Sequence, residues 1–400
     1  MPREGLIAVV KKAVCAILTL MLLFLGGCQN NRDINSLAVV VAIGLDTVAD
    51  GNIEFTVQII GPSKQSSSQL GSGSSGGSSS AINVSAEGAT SFEAARNLIP
   101  KLSKKAFYAH LQLLVIGEDM AKEGLDKIWD FFERDHEVDR QFRMIVVKGG
   151  TAKSVIEATA SIDQLGGVEI SDTIDNEAFG KSVKSLGFEV SALLSEPMTG
   201  IVTGLIDPDG STKLTNMKIE GGAVFKNARL AGYLNDNETR GYLFASNKIK
   251  STTLTIANPC EQGKLVSIEV IGSSSKLTSA LKNGEPDLGI EITAYGNIGD
   301  EQGSADLSDL DNVKKLESEA EALISENIRD MLKQSQKTFN IDLLNFNDLL
   351  YKHHYKDFEK VKANWSKLYE NADIHINVQF TIKRSGMITE PAYNESGSGQ

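Results

Sequence analysis

Leu37-Ala38-Val39-Val40-Val41-Ala42-Ile43-Gly44-Leu45 is a near-continuous apolar run, and behind the turn residues Asp50-Gly51 the residues Ile53, Phe55, Val57 and Ile59 alternate with polar ones. A run followed by strict alternation across an Asp-Gly pair predicts two strands joined as a hairpin. Residues 61–81 come next, where Ser and Gly dominate and no apolar period survives, as in a flexible insertion. Pattern resumes at Ile82-Asn83-Val84-Ser85. Thr90 with Glu93 then forms a capping box ahead of Phe92, Ala95, Ile99 and Leu102, spaced as one helical face. A buried strand is expected over His110 to Ile116, and a helix with Leu125, Ile128, Trp129 and Phe132 on one side. A strand over Met144 to Val147 and a helix over Thr151 to Ala160 follow. Strand and helix alternating at this spacing imply a mixed sheet covered by helices.

That first mixed α/β domain is expected over residues 28–165, with the Gly/Ser-rich insertion at 61–81. A smaller α+β domain is expected over 166–256, with a helix at Val190 to Leu194, a turn at Pro208-Asp209-Gly210, and two strands around Asn227 to Arg229. Beyond Pro259, Val266, Ile268 and Val270, and again Leu288, Ile290 and Ile292, alternate as antiparallel strands do. A long helix from about Asp309 to Lys337 sets Val313, Leu316, Ala320, Ile324, Ile328 and Leu332 in one stripe, which reads as core rather than as a partner surface. Phe358, Val361, Trp365 and Leu368 repeat the stripe on another helix. Ile374, Ile376, Val378, Phe380 and Ile382 close the chain as a strand. The expected class is α+β in three mixed domains, the last, 257–390, an antiparallel sheet covered by the long helix, with a tail at 391–400.

The first 28 residues place this body. Arg3, Lys11 and Lys12 precede an apolar run from Ala13 to Leu25, too short for a hydrocarbon core that needs roughly 20 residues, and Leu25-Gly26-Gly27-Cys28 follows. This is a signal peptide ending in the arrangement bacterial lipoprotein processing requires. Residues 1–27 are removed, a diacylglyceryl group joins the Cys28 thiol, and 373 of the 400 residues remain. Two or three acyl chains, at about 0.8 kcal/mol per buried CH2, hold such a chain stably on a membrane. After cleavage only Cys28 and Cys260 remain of three cysteines, so no intramolecular disulfide is available and packing must supply the stability. A hydrophobic content of 41% is enough for it. A net charge of −12 with a pI near 5.1 argues against nucleic acid and against electrostatic adsorption to anionic lipid.

Pattern alone would place a dinucleotide site at Gly71-Ser72-Gly73-Ser74-Ser75-Gly76 and a nucleophile elbow at Gly73 to Gly77. Both need a strand before and a helix after, which this tract lacks. His110, His136, His353, His354 and His375 show no metal-ligand spacing. His110 reads as a hydrogen-bonded packing residue, and Asp135, Glu137 and Asp139 as a solvated acidic turn rather than a hard-cation site. Glu238-Thr239-Arg240-Gly241 could fix an ion pair at a domain edge, though the reading favoured is a surface turn. No catalytic residue, cofactor or metal is called for.

With the lipobox, Arg32-Asp33-Ile34-Asn35-Ser36-Leu37 and Ala42-Ile43-Gly44-Leu45-Asp46, the chain resembles the Ger(x)C spore germination lipoproteins, the C subunits of nutrient germinant receptors. The likeness continues through His110-Leu111-Gln112-Leu113-Leu114-Val115-Ile116-Gly117-Glu118 and Glu133-Arg134-Asp135. It resumes at Gly222-Ala223-Val224-Phe225-Lys226, Gly232-Tyr233-Leu234 and Glu238 to Gly241, and ends with Trp365 and the closing strand before Gly386. Two departures are visible. Family members commonly carry Trp directly after the lipidated Cys, where this chain has Gln29, and the Gly/Ser tract looks inserted. The resemblance implies a three-domain α+β protein on the outer face of the inner spore membrane, acting beside two integral membrane subunits in nutrient detection. It implies no catalytic residue and carries over only Cys28. The alternative is a solute-binding lipoprotein of a transporter, whose two lobes should repeat strand and helix in both halves. A tethered hydrolase would need paired carboxylates or a metal in a cleft.

Overall fold

The computed structural model describes residues 11–13, 36–61, 81–158, 160, 165–176, 180–195, 200–303 and 309–384. The expected hairpin forms: β1 (Leu37–Thr47) pairs antiparallel with β2 (Ile53–Ile60), Gly44 opposite Thr56. Asp50 and Gly51 turn the chain at φ 61° and 75°, left-handed values that short polar side chains and glycine tolerate. β3 (Ala81–Gly88) then pairs antiparallel with β2, Ile60 opposite Ala81. The bulk of the Gly/Ser tract, 62–80, lies outside the described residues, and the strands on either side of it leave and re-enter the sheet at one point.

β4 (Lys105–Phe107) and β5 (Leu113–Ile116) run parallel to the first and second halves of β1. β6 (Arg143–Val147) and β7 (Ile201–Ile206) continue parallel, and β8 (Gly222–Lys226) and β9 (Arg229–Leu234) finish antiparallel. The result is one nine-stranded mixed sheet ordered β3-β2-β1-β5-β6-β7-β8-β9, with β4 beside β1. It runs past residue 165, so the strands expected in the middle domain extend the sheet of the first.

Helices cover both faces. On one, Phe55, Val57, Leu114 and Val146 pack with α1 (Ser91–Asn97), α2 (Glu118–Glu123), α3 (Asp126–Arg134) and α6 (Gly187–Leu194). On the other, Leu113, Val115, Ile145 and Val147 meet α4 (Ala152–Ile156) and α5 (Gly166–Asp175). Strands apolar on successive positions, such as β5 and β6, are those buried on both sides. α3 buries Ile128, Trp129 and Phe132 as expected. α1 does not follow its expected stripe: Ala94, Ala95 and Leu98 face the sheet, while Phe92 and Ile99 are 54% and 57% exposed. The small residues allow the helix to sit close to β3, and that rotation turns the bulky ones outward.

The second sheet is β10 (Thr252–Ala257), β11 (Leu265–Lys282), β12 (Glu285–Glu301) and β13 (Ile374–Arg384), in that order. Asn283 and Gly284, at φ 56° and 89°, close the long β11–β12 hairpin with both turn residues left-handed. The first three strands are antiparallel as expected, but β13 runs parallel to β12, Leu288 opposite Ile374. The helices between them carry the chain back to the starting end, and only a parallel strand follows from such a crossover. α8 (Leu310–Lys333), capped by Asp309, buries Leu316, Ala320, Ile324, Ile328 and Leu332 over this sheet, with Val313 half-buried. The next stripe falls on two helices rather than one, α10 (Tyr355–Val361) and α11 (Trp365–Asn371), split by a tight turn at Lys362–Asn364; α9 (Phe346–His353) precedes them.

One continuous core joins the two sheets, from Val183, Val202 and Val224 through Phe244 and Leu254 to Ile324, Trp365 and Phe380. The expected boundary at 256–257 falls inside β10.

Candidate functional site

Short segments singled out in the sequence meet in two structural joints. At the first, Asp46, at the end of β1, is 3% exposed and accepts the Ala152 and Lys153 backbone N–H groups at 2.7 and 2.9 Å, capping α4. Burial raises its carboxyl above the usual range, and the two backbone bonds partly offset this. A Cβ on Gly117 would lie 2.0 Å from the Asp46 Oδ1, and one on Gly44 would press on Ala152 and Ile156 at 3.1 Å. The two glycines give the carboxylate and the helix their space.

At the second joint, the tip of the first sheet grips α8. The chain after β9 forms α7 (Asp236–Ala245), in which the Asn235 side chain accepts the Glu238 N–H and the Glu238 carboxylate accepts the Asn235 N–H, a full capping box. Glu238 to Gly241 is therefore buried helix and not a surface turn: Glu238 is 7% exposed and Thr239 0%. Glu238 Oε1 accepts from Gln334 Nε2 at 2.9 Å, and Arg240 pairs with Asp236 one turn away. Gly241 lies against the backbone of Asn327 on α8, where a Cβ would come within 2.1 Å of the carbonyl oxygen. Lys226 Nζ donates to the Phe339 and Asn340 carbonyls at 2.9 and 3.0 Å. Those carbonyls close the π-helical turn Gln334–Phe339 that extends α8, where the helix dipole favours a cation.

A surface cleft lies elsewhere. α1, α3 and the start of β4 enclose an open cleft of about 480 Å³. Phe92, Ile99, Tyr108 and Phe131 form its apolar lining, with Tyr108 edge-on to Phe131 at 6.0 Å. Burial, with Asp135 nearby, pushes the Tyr108 phenol up to about 12, so it remains neutral at ordinary pH. The rim is charged. Arg134 pairs with Asp130 at 2.7 Å, Lys105 with Glu137, and the Arg96 guanidinium sits 4.7 Å over the Phe92 ring. Sequence reading missed this cleft because it placed Phe92 and Ile99 inside; the small pair Ala94-Ala95 was the available signal.

The other expected positions disperse. Cys28 and the whole leader through Cys28, apart from residues 11–13, lie outside the described residues. His110 is exposed in the loop before β5, edge-on to Phe107 at 5.8 Å, and neither opens the strand nor packs in the core. Asp135 and Asp139 each accept a backbone N–H two residues on, and Glu137 turns to Lys105, so the acidic turn satisfies itself. His353 and His354 are exposed at the α9–α10 junction, and His375 lies 3.8 Å from Asp287. Among the described residues no group of three His, Cys, Asp or Glu is disposed to hold a metal ion.

The chain thus carries two unequal mixed sheets, the second covered by a long helix, and spends its motif residues on structural joints. Residues 30–206 match the family model described as spore germination protein N-terminal domain, and residues 220–386 the one described as spore germination B3/GerAC like, C-terminal. The chain belongs to the Ger(x)C family of spore germination proteins. Spore germination protein KC of Bacillus subtilis strain 168 is 29% identical over 402 residues, spanning 96% of this chain and 98% of that one. Spore germination protein B3 of the same organism is 20% identical across 93% of this chain and 98% of its own. The crystal structure of the GerBC protein shares the fold, with a TM-score of 0.53 at 17% identity over 85% of this chain and 96% of that chain.

Proposed function

We propose that this chain is the C subunit of a nutrient germinant receptor, a non-enzymatic lipoprotein held by Cys28 on the outer face of the inner spore membrane and needed for the response to nutrients. The observation that carries this reading is the end-to-end likeness to spore germination protein KC, in which both sheets and their joints fall within the shared length. The carboxylates Asp46 and Glu238 are occupied in capping helices, which suits a structural role for them. Among the described residues no helix is long and apolar enough to cross a membrane, which agrees with attachment through a lipid. Its partners in this reading are two integral membrane subunits of the same receptor. A transporter's solute-binding lipoprotein should close two similar lobes around a hinge. Here a nine-stranded sheet meets a four-stranded one through a continuous core.

Affinity purification of the full-length lipidated protein from detergent-solubilised spore membranes, followed by mass spectrometry, tests the assignment. Two multi-spanning partners without an ATPase are expected; a permease with an ATPase would move the protein to the solute-binding class.

A further inference from the structure

We propose that the cavity enclosed by α5, α6 and the turn after α7 is a binding site for a small organic anion, a carboxylate on an apolar body. Asn247, at φ 60°, takes the left-handed conformation that ends a helix, and the Lys248 and Ile249 N–H groups both return to the Leu243 carbonyl, at 2.9 and 3.2 Å. The turn so formed holds Lys248, Ile249 and Lys250 against the end of α5 and the start of α6, around a space of about 290 Å³. That volume is at the small end of the range for ligand pockets.

The lining joins apolar and charged groups. Leu186, Leu243 and Ile249 supply the first, the last two being buried residues of the core. Asp175, Lys184, Glu189, Lys248 and Lys250 supply the second. Both carboxylates are already committed. Asp175 accepts from Arg143 Nε at 3.0 Å and Lys184 Nζ at 2.9 Å, and Glu189 from Lys248 Nζ at 3.3 Å and the Leu186 N–H at 3.2 Å. Lys250 is exposed and, among the described residues, has neither an ion pair nor a hydrogen bond. An amino group entering the cavity therefore finds no free carboxylate. An anion finds one free ammonium, and two more that carry three donors each and spend only part of them.

Three lysines against two carboxylates leave the lining positive, and Arg143 behind Asp175 adds to it. α5 and α7 end at the cavity and α6 begins there, which brings about half a negative charge twice and half a positive charge once, too little to reverse the sign. The sequence as a whole carries −12, so the excess is local. The apolar wall then favours a carboxylate whose methylenes leave water against Leu243 and Ile249 over a bare inorganic anion.

Isothermal titration calorimetry of the full lipidated protein in detergent, with protein-free micelles as the blank, tests this with three probes. They are 4-methylpentanoate, inorganic phosphate, and L-leucine, which is 4-methylpentanoate carrying an ammonium group. 4-Methylpentanoate should bind at one site, more tightly than the other two. Lys250→Gln changes an exposed side chain without a partner and should weaken that binding about fivefold, the upper range for an exposed ion pair. Glu189→Gln keeps an oxygen for the Leu186 N–H and frees Lys248, so it should tighten binding several-fold. No saturable heat from 4-methylpentanoate at two temperatures overturns the site. Binding that neither substitution changes lies elsewhere and overturns the assignment. Phosphate bound as tightly would overturn the apolar half of the ligand class, and L-leucine bound as tightly the preference for an anion.

Discussion

Asp342 is buried without a cation: it is 2% exposed, and its Oδ2 accepts the Asn347 backbone N–H at 2.9 Å and the Trp365 indole N–H at 3.1 Å. Burial pushes its carboxyl up to about 6, even though these donors favour the anion. Because the folded state then binds the proton more tightly than the unfolded chain, the stabilising contribution is complete below about pH 4. It is lost as pH rises through 6. Asp342→Asn cannot ionise, so relative to that variant the wild type should lose roughly 3 kcal/mol of stability between pH 4 and pH 7, about 2 pKa units at 1.36 kcal/mol each. Urea denaturation of both proteins at the two pH values measures this; a difference independent of pH would show that the carboxyl titrates normally. Asp46 serves the start of α4 as Asp342 serves the start of α9. Asp46→Ala leaves the Ala152 and Lys153 N–H groups buried without acceptors, and a loss of about 2–4 kcal/mol is expected in the same assay. A loss below about 0.5 kcal/mol would mean that water replaces the carboxylate.

At the scale of elements, α8 is the beam to which the rest is fixed. β13 is an edge strand whose free N–H groups invite pairing with another chain, and α8 answers from above: Glu321 accepts the Phe380 N–H at 2.9 Å and Glu317 the Ile382 N–H at 2.8 Å. α7 crosses α8 at Gly241. Gly241→Ala should lower stability by about 2–4 kcal/mol, because the added methyl meets the Asn327 backbone, which cannot step aside as a side chain can. Helix propensity alone would favour alanine by about 1 kcal/mol, so stabilisation in denaturant would show the crossing to be loose. These elements also show what the sequence could tell. The alternation of β13 and the stripe of α8 were legible because each element buries a single face at one period. The capping box Asn235 to Glu238 was equally legible as a pattern, yet those residues were read as a turn, since the burial of a short helix depends on a partner ninety residues away. The rotation of α1 was hidden for a related reason: Phe92 and Ala95 share a face by spacing, and only the close approach of the sheet selects the small residues. The direction of β13 is a matter of topology, which no local period records.

For the whole molecule, the attachment point and the folded body make separate contributions. The core that runs from Val183 to Phe380 joins the two sheets, so under the proposed Cys28 anchor an attachment at one end holds the whole of the protein. The full sequence carries a net charge of −12, which opposes adsorption to an anionic membrane. Each acyl methylene contributes about 0.8 kcal/mol and one chain gives only marginal binding, whereas two or three hold stably. Cys28→Ala should therefore leave the protein in the soluble fraction of disrupted spores, or lost altogether, and impair germination with nutrients. Fractionation with immunoblotting and the optical-density loss of nutrient-treated spores provide the two readouts. Full retention on the membrane in that variant would mean that contacts with membrane subunits, and not the acyl chains, carry the attachment. Retention with impaired germination would separate the two roles, leaving the lipid to set the orientation of the β1 end rather than the residence of the protein.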